Sequence, residues 1–518
     1  MRRSYALVCA AALVASGALV TAVSAAPAID TAPLRDAVTV DGIVGHMAAL
    51  EKIANANVFQ GVPTRATGTP GHEASVAYVV QTMKAAGFDV SLQEFEADIF
   101  FEEGPAAFDR VSPDPVAYAR YDGETGVWST AEFSGDGDVT AGAVVVDFTE
   151  PTSQASASSA GCEASDYDGL AVAGKVALVQ RGTCDFGLKA EIAREAGAAA
   201  MVLFNEGTIG APDRNGVLNP TLAGYNAGIP VVGTDYATGR HLVDLANAGQ
   251  DVTLHVAVDG FINEAVTNNV IAETPGGRAD RTVVVGGHLD SVYEGPGVND
   301  DGSGVSMMLE TAEQMHALGV APANKVRFIF FSGEEQGLLG SDFYVSQLSK
   351  RDIKSISAML DFDMLASDNY GRFIYDGNGD EQGFAGPNGS GVIEQVFKDF
   401  WDSEGLDYET IPFDGRSDYD AFTTAGIPAG GIFAGAEEIK QPEQVALYGG
   451  TAGVAFDPCY HQLCDVLANI NEKGLDEHSD AAVHAIWTFA QSSSAVQGTA
   501  KASTTEKPYD WKSDLLAS

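Results

Sequence analysis

The chain has 518 residues, with 29 Lys or Arg against 72 Asp or Glu, for a formal charge of −43 at pH 7. Its 45% hydrophobic fraction supplies side chains for two or three cores at roughly 100–200 residues per domain, which excludes a generally disordered chain. So negative a chain repels phosphate backbones and anionic lipid surfaces, so no nucleic-acid partner is expected and most of the charge reads as a solvated surface.

Arg2 and Arg3 precede an apolar run from Ala6 to about Val23, and Val23-Ser24-Ala25 stands before Ala26-Pro27. This pattern predicts a secretory signal peptide over residues 1–25, cleaved near Ala25, and a secreted or periplasmic product without a stable membrane anchor. No later run approaches the roughly 18 continuous apolar residues of a spanning helix. Of the 5 cysteines, Cys9 leaves with the signal. Cys162 and Cys184 form one local pair, Cys459 and Cys464 another, and an oxidising compartment would close each as a disulfide. The competing zinc-thiolate reading lacks paired C-x₂-C knuckles.

Short β-branched runs alternate with helical patterns, predicting an α/β fold with a mixed, mostly parallel sheet flanked by helices. Apolar residues recur at helical spacing over 40–50 and 71–86, and Phe88 to Phe95 alternates as a strand. Around Phe133 the texture changes to Gly, Asp, Ser and Ala. A strand at Val176–Val179, a helix over Phe186–Ala196, and strands at Ala199–Phe204 and Ile229–Val232 then outline a unit of domain size. The resulting division is a first part 26–130, an insertion 131–260, a resumed part 261–491, and a polar tail 492–518 without sustained period.

Three strand-like runs end in ligand chemistry. Val283–Gly287 leads into His288-Leu289-Asp290, Val326–Phe331 into Ser332-Gly333-Glu334-Glu335, and Ala358–Leu360 into Asp361-Phe362-Asp363, with Gly430–Ala434 a further core strand. Ligands bind beyond the carboxyl ends of strands in open α/β sheets, so these acids and His288 should converge on one rim. Carboxylates gathered there call for a cation. Singly, His288 reads more often as a packed or surface imidazole than as a ligand, and Glu334-Glu335 as a solvated pair. The discriminating run is Gly297-Val298-Asn299-Asp300-Asp301-Gly302-Ser303-Gly304, in which Asp300 stands 12 residues after His288 at a helix start. A carboxylate there can offer its two oxygens to two cations.

In this order, GGHLDS, GVNDDGSG, SGEEQGLLGS, DFDM and PCYHQLCD resemble the co-catalytic di-zinc aminopeptidases of secreted bacterial leucyl aminopeptidase and aminopeptidase Y type, over about residues 40–100 and 262–491. The resemblance implies two zinc ions per chain. Asp300 would bridge them, His288 and Asp363 completing one site and Glu335 and His461 the other. Glu334 would take a proton from a water shared by the two ions and deliver it to the leaving amine, with burial and neighbouring acids raising its pKa. Asp290, two residues from His288, would accept the second imidazole N–H, while Asp361 stands in the same relation to Asp363 and is read as structural.

The resemblance further implies an oxyanion-steadying role for Tyr460, against core packing as the alternative. It implies a place for Arg416 in the substrate-pocket loop, against pairing with local acids, and a cis peptide bond at Asp300-Asp301. Asp476 and Asp480 resemble a calcium-binding pair, although acids near a helix start are common. The segment around GKVALVQRGTCDFGLKAEIAREAGAAAMVLFN resembles a protease-associated domain. The function the resemblance implies is that of an exported, zinc-dependent aminopeptidase that hydrolyses N-terminal residues, hydrophobic ones by preference, from peptides with a free N-terminus. A glutamate carboxypeptidase-like exopeptidase and a non-catalytic binding protein on the same fold are the alternatives. The first needs basic residues for a terminal carboxylate, and the second predicts missing ligands.

Overall fold

The structure, a computed structural model, describes residues 29–498 except 122–124, 154–157, 211–213, 223–224 and 226. The expected signal peptide, and residues 499–518 of the expected tail, lie outside the described residues. Helices Val40–Ala56 and Pro70–Ala85 open the fold. Each starts at a threonine, Thr39 or Thr69, whose hydroxyl accepts a backbone N–H of the first turn, satisfying a donor the helix cannot pair itself. Strand β1 (Asp89–Glu102) follows.

The chain then builds a separate sheet from β2 (Ala107–Ser112), β3 (Val116–Ala117), β4 (Trp128–Thr130), β5 (Gly137–Val146), β6 (Val176–Gln180), β7 (Ala200–Phe204), β8 (Val231–Thr234) and β9 (Thr253–Val258), in the order β3-β2-β9-β5-β6-β7-β8-β4. Its centre, β5 to β8, is parallel. Strands β6 and β7 are buried throughout, as a sheet covered on both faces requires. The expected boundary at 131 falls inside this sheet, because β2, β3 and β4 pair within it. By sheet membership the inserted unit runs from Ala107 to Val258. The early strands are short and carry no ligand or helix signal, so their texture did not separate them from the preceding part.

The large sheet resumes with β10 (Gly260–Glu273), antiparallel to β1 along its whole length. It continues with β11 (Arg278–His288), β12 (Asn324–Phe331), β13 (Ile356–Phe362), β14 (Phe373–Tyr375), β15 (Glu409–Ile411) and β16 (Ala429–Phe433), in the order β1-β10-β12-β11-β13-β16-β14-β15. Its core, β12-β11-β13-β16, is parallel, and antiparallel pairs flank it, so the mixed, mostly parallel α/β expectation holds. Helices Gly302–Leu318, Ser390–Glu404 and Glu472–Gln491 pack against the sheet. The tail does not begin as a featureless segment. Ser493 accepts a hydrogen bond from Asn324 Nδ2 at 3.3 Å, and Ser494–Gly498 forms a short helix with Val496 buried. Among the described residues no helix is long and apolar enough to cross a membrane.

Candidate metal centre

Because β11, β12, β13 and β16 run parallel, their carboxyl ends share one rim. His288 is the last residue of β11, Glu334 and Glu335 follow β12, and Asp363 follows β13 directly. Asp300 comes from the loop before helix Gly302–Leu318, whose N-cap Asp301 accepts N–H groups from Gly304 and Met364. That loop seats closely on the strands. A Cβ on Gly287 would lie 2.5 Å from Asp301 Oδ2, and one on Gly304 would lie 1.9 Å from the Phe362 carbonyl. Glycine at these two places admits the approach.

His288 Nε2 lies 3.1 Å from Asp300 Oδ1 and 3.5 Å from Asp363 Oδ1. His461 Nε2 lies 3.2 Å from Asp300 Oδ2 and 3.0 Å from Glu335 Oε2. Asp300 therefore turns one oxygen to each imidazole. In the triads His288, Asp300, Asp363 and Asp300, Glu335, His461, the donor atoms lie within 4.8 Å of one another. His288 and Asp300 are buried, Glu335 and Asp363 are partly buried, and the His461 side chain is 40% exposed.

Burial pushes the Glu334 carboxyl well above the usual carboxylate range, with His288 opposing and Glu335 and Asp363 adding to it. Glu335 rises to about 7, chiefly by burial. Asp300 moves the other way: burial would raise it, but the two imidazoles hold it low. Those imidazoles are in turn raised well above their ordinary value, the acids outweighing desolvation at both. Glu335 Oε1 and Asp363 Oδ1 are buried with no hydrogen-bond partner. Two imidazoles, three carboxylates and two orphaned oxygens form a donor set that fits divalent cations such as zinc.

Support for the centre includes residues that sequence reasoning missed. Asp465 accepts the Asn299 and Asp300 N–H groups at 2.7 and 3.1 Å. Asp457 accepts from Asn299 Nδ2 at 2.6 Å. Arg65, fully buried, donates Nε to the Pro296 carbonyl at 2.9 Å, Nη2 to Gly297 at 2.5 Å and Nη1 to Leu289. It thus grips both ends of the segment between His288 and Asp300. Asp465 sat visibly beside Cys464, whereas Arg65 lies more than 200 positions from its partners and had no local signal.

The expected role of Asp290 needs correction. His288 Nδ1 lies 3.1 Å from the Asp290 backbone carbonyl and 3.9 Å from its carboxylate. That carboxylate instead faces the Glu334 N–H, at 3.4 Å. The strand ends at His288, so the two-residue alternation behind the expectation no longer applies. Tyr460 stacks on His461 with ring centroids 3.8 Å apart, and its hydroxyl is 3.2 Å from Arg416 Nη2. Arg416 lines the cavity that opens on the centre and pairs with Glu437 at 3.0 Å, so the expected pairing with local acids is present. Asp361 is buried beside Asp418 and Asp363, which together with burial raise its carboxyl. The Asp300-Asp301 bond is cis. Cys162–Cys184 and Cys459–Cys464 are bonded. At the expected calcium pair, Arg35 Nη1 lies 3.4 Å from Asp480 Oδ2, and neither Asp476 nor Asp480 falls in a cation-capable cluster among the described residues. A guanidinium already meets that charge.

A cavity of about 330 Å³ opens on the centre, and Phe373, Tyr375, Ile411, Phe433 and Phe456 give it an apolar wall. A larger cleft, about 1140 Å³, runs between the inserted unit at Phe133 and Tyr225 and the peptidase-like part at Leu339 and Phe343. Its lining contains none of the centre's donors, whereas that of the smaller cavity contains all five, so the smaller cavity is the one that serves the centre.

Sequence and structure comparisons put the chain among the hydrolases of peptide bonds. Residues 269–486 match the model of Peptidase family M28, and residues 129–242 match the PA domain. An aminopeptidase of Pseudomonas aeruginosa is 44% identical over 440 residues, covering 85% of this chain and 78% of that one. A probable lipoprotein aminopeptidase of Mycobacterium tuberculosis is 41% identical over 466 residues, covering 88% and 86%. The solved structure of an aminopeptidase from an Aneurinibacillus species superposes with a TM-score of 0.67 at 25% identity, over 89% of this chain and 96% of that one. The chain belongs to peptidase family M28, on its aminopeptidase side, and carries an inserted PA domain.

Proposed function

We propose that this chain is an exported, zinc-dependent aminopeptidase that removes hydrophobic residues from the N-termini of peptides. The observation that carries the reading is Asp300, whose two oxygens face His288 and His461 separately. In this reading His288, Asp300 and Asp363 hold one zinc ion, and Asp300, Glu335 and His461 hold a second. Zinc bound there supplies Lewis acidity and makes water acidic enough to react near neutral pH.

The remaining work falls to side chains of this chain. Glu334, which the expected set leaves outside both triads, receives the water's proton on its carboxylate and passes it to the departing amine. The acidic surroundings of Glu334 and Asp363 favour a substrate's cationic α-amine. The Tyr460 hydroxyl, oriented by Arg416, donates toward the carbonyl oxygen as charge develops on it. A hydrophobic side chain fills the aromatic wall of the cavity. Arg416, the cavity's arginine, is already engaged by Glu437, which disfavours capture of a terminal carboxylate and with it the carboxypeptidase reading. The inserted unit walls the approach to the site, and the division of the chain follows sheet membership, with residues 1–25 directing export.

Purified protein should contain zinc and cleave leucine-p-nitroanilide while leaving its N-acetylated counterpart intact; equal cleavage of both removes the aminopeptidase assignment. Glu334→Gln should lower kcat by about 10²–10⁴-fold with metal content unchanged. Retained activity would reject the proton-transfer role.

A further inference from the structure

Away from the centre, helix Gly302–Leu318 carries Glu310 and Glu313 one turn apart on one face, opposite His46 of helix Val40–Ala56. His46 Nε2 lies 3.7 Å from Glu310 Oε2 and 3.7 Å from Glu313 Oε2. Those separations are too long for hydrogen bonds. They suit donors that share an ion, since two ligands about 2.1 Å from a tetrahedral cation stand about 3.4 Å apart. The donor spacing at the candidate metal centre is similar, up to 3.5 Å. One donor atom from each of the three side chains falls within 4.8 Å of the others.

The His46 side chain is 10% exposed, and its Nε2, which faces both carboxylates, makes no hydrogen bond among the described residues. Its other nitrogen, Nδ1, is held 2.6 Å from the Tyr78 hydroxyl. A ring that donates Nδ1–H to such a partner turns the Nε2 lone pair outward, as metal-binding histidines do. Glu310 is buried, and its Oε1 is met by the Gln314 amide at 3.0 Å. Among the described residues no lysine or arginine nitrogen lies within ion-pair distance of Glu310 or Glu313. A buried carboxylate without a cation is costly. The helices are built to admit it: a Cβ on Gly42 would lie 2.3 Å from Glu310 Oε1. The cluster Asp376, Asp380, Glu394 differs, because Lys398 lies 2.7 Å from Glu394 and three backbone N–H groups reach Asp376.

We propose that His46, Glu310 and Glu313 bind a divalent cation of zinc type, separate from the candidate metal centre, which braces helix Val40–Ala56 against helix Gly302–Leu318. One imidazole and two carboxylates suit zinc, and Glu313, with a side chain 41% exposed, gives an entry path and room for water to complete the shell. The brace joins chain segments on either side of the inserted unit, and the second helix is the one that starts beside Asp300.

The test is zinc per chain by mass spectrometry after metal stripping, reconstitution with excess Zn²⁺ and desalting. Glu313→Gln and His46→Gln should each retain one equivalent fewer than wild type. Added Zn²⁺ should raise the unfolding midpoint of wild type by several degrees more than that of Glu313→Gln, with leucine-p-nitroanilide hydrolysis by the loaded variant unchanged. Should His46→Gln fail to fold, Glu313→Gln decides, since its side chain is partly exposed. Equal zinc content and an equal midpoint response in Glu313→Gln and wild type would overturn the proposal and leave an imidazole–carboxylate contact without metal. Because the readout is a difference between variants, it stands whatever the catalytic centre binds.

Discussion

Arg65 has no solvent exposure, and burial pulls its pKa down while Asp290, Asp465, Asp301 and Asp300 push it up. A guanidinium suits the position because its planar fork donates in several fixed directions, here to three carbonyls of one loop. Arg65→Lys cannot reproduce that fork, and Arg65→Met leaves the surrounding acids without their buried counter-charge. Both variants should lose roughly 3–5 kcal/mol of stability in urea unfolding, with lysine recovering little of it. A loss below about 1 kcal/mol in Arg65→Lys would show that charge alone, without directed donors, holds the loop. At this same scale the role given to Asp290 passed to its backbone carbonyl, since side-chain alternation ends where the strand ends.

At the scale of the element, two disulfides of different span do different work. Cys459–Cys464 closes a loop of sequence separation 5 around Tyr460 and His461, and His461 there adopts φ 56°, a region non-glycine residues seldom occupy. Closing so short a loop stabilises the fold by about 2 kcal/mol, but it holds a donor of the candidate centre in place. Cys162–Cys184 spans 22 positions inside the inserted unit, and its loop is further tied by Lys189 Nζ, which donates to the Ala160 carbonyl at 2.5 Å. The longer closure is worth about 3 kcal/mol. Replacing both cysteines of the short loop by serine should lower kcat and zinc retention more than the unfolding midpoint. The same change at Cys162 and Cys184 should lower the midpoint and spare kcat. The reverse pattern in assays and calorimetry would contradict this division.

For the whole molecule, acid sensitivity follows from histidines buried in neutral form. His478 is fully buried on helix Glu472–Gln491, its Nδ1 2.7 Å from the Gly474 carbonyl and its ring edge-on to Tyr370 and Trp401. Burial lowers its pKa to about 4, and His72 is lowered to about 4 by the same cause. Above pH 6.5 the ring is neutral in folded and unfolded chains alike. Below it the unfolded chain binds the proton first, so stability falls as pH drops from about 6.5 to 4 and levels beneath that. The loss is roughly 3 kcal/mol per such histidine. His478→Gln should flatten this part of the stability-against-pH curve measured by chemical unfolding; an unchanged slope would mean the ring titrates normally in the fold.

The local pattern of the chain determined the parallel core, the placement of acids after strands and the nearness of cysteine partners, because hydrophobic period, strand-end chemistry and short loops are properties of adjacent residues. It read β6 and β7, both long helices of the first part, and the strands that end in His288 and Asp361-Phe362. It did not read β2 to β4 as members of the second sheet, nor Arg65, nor the pairing of Asp480 with Arg35. Each of those depends on partners far along the chain, and which distant groups meet is settled only when sheets and helices pack. The same holds for the meeting of His46 with Glu310 and Glu313, since only the packing of two helices far apart in the chain brings the buried Glu310 carboxylate to the imidazole.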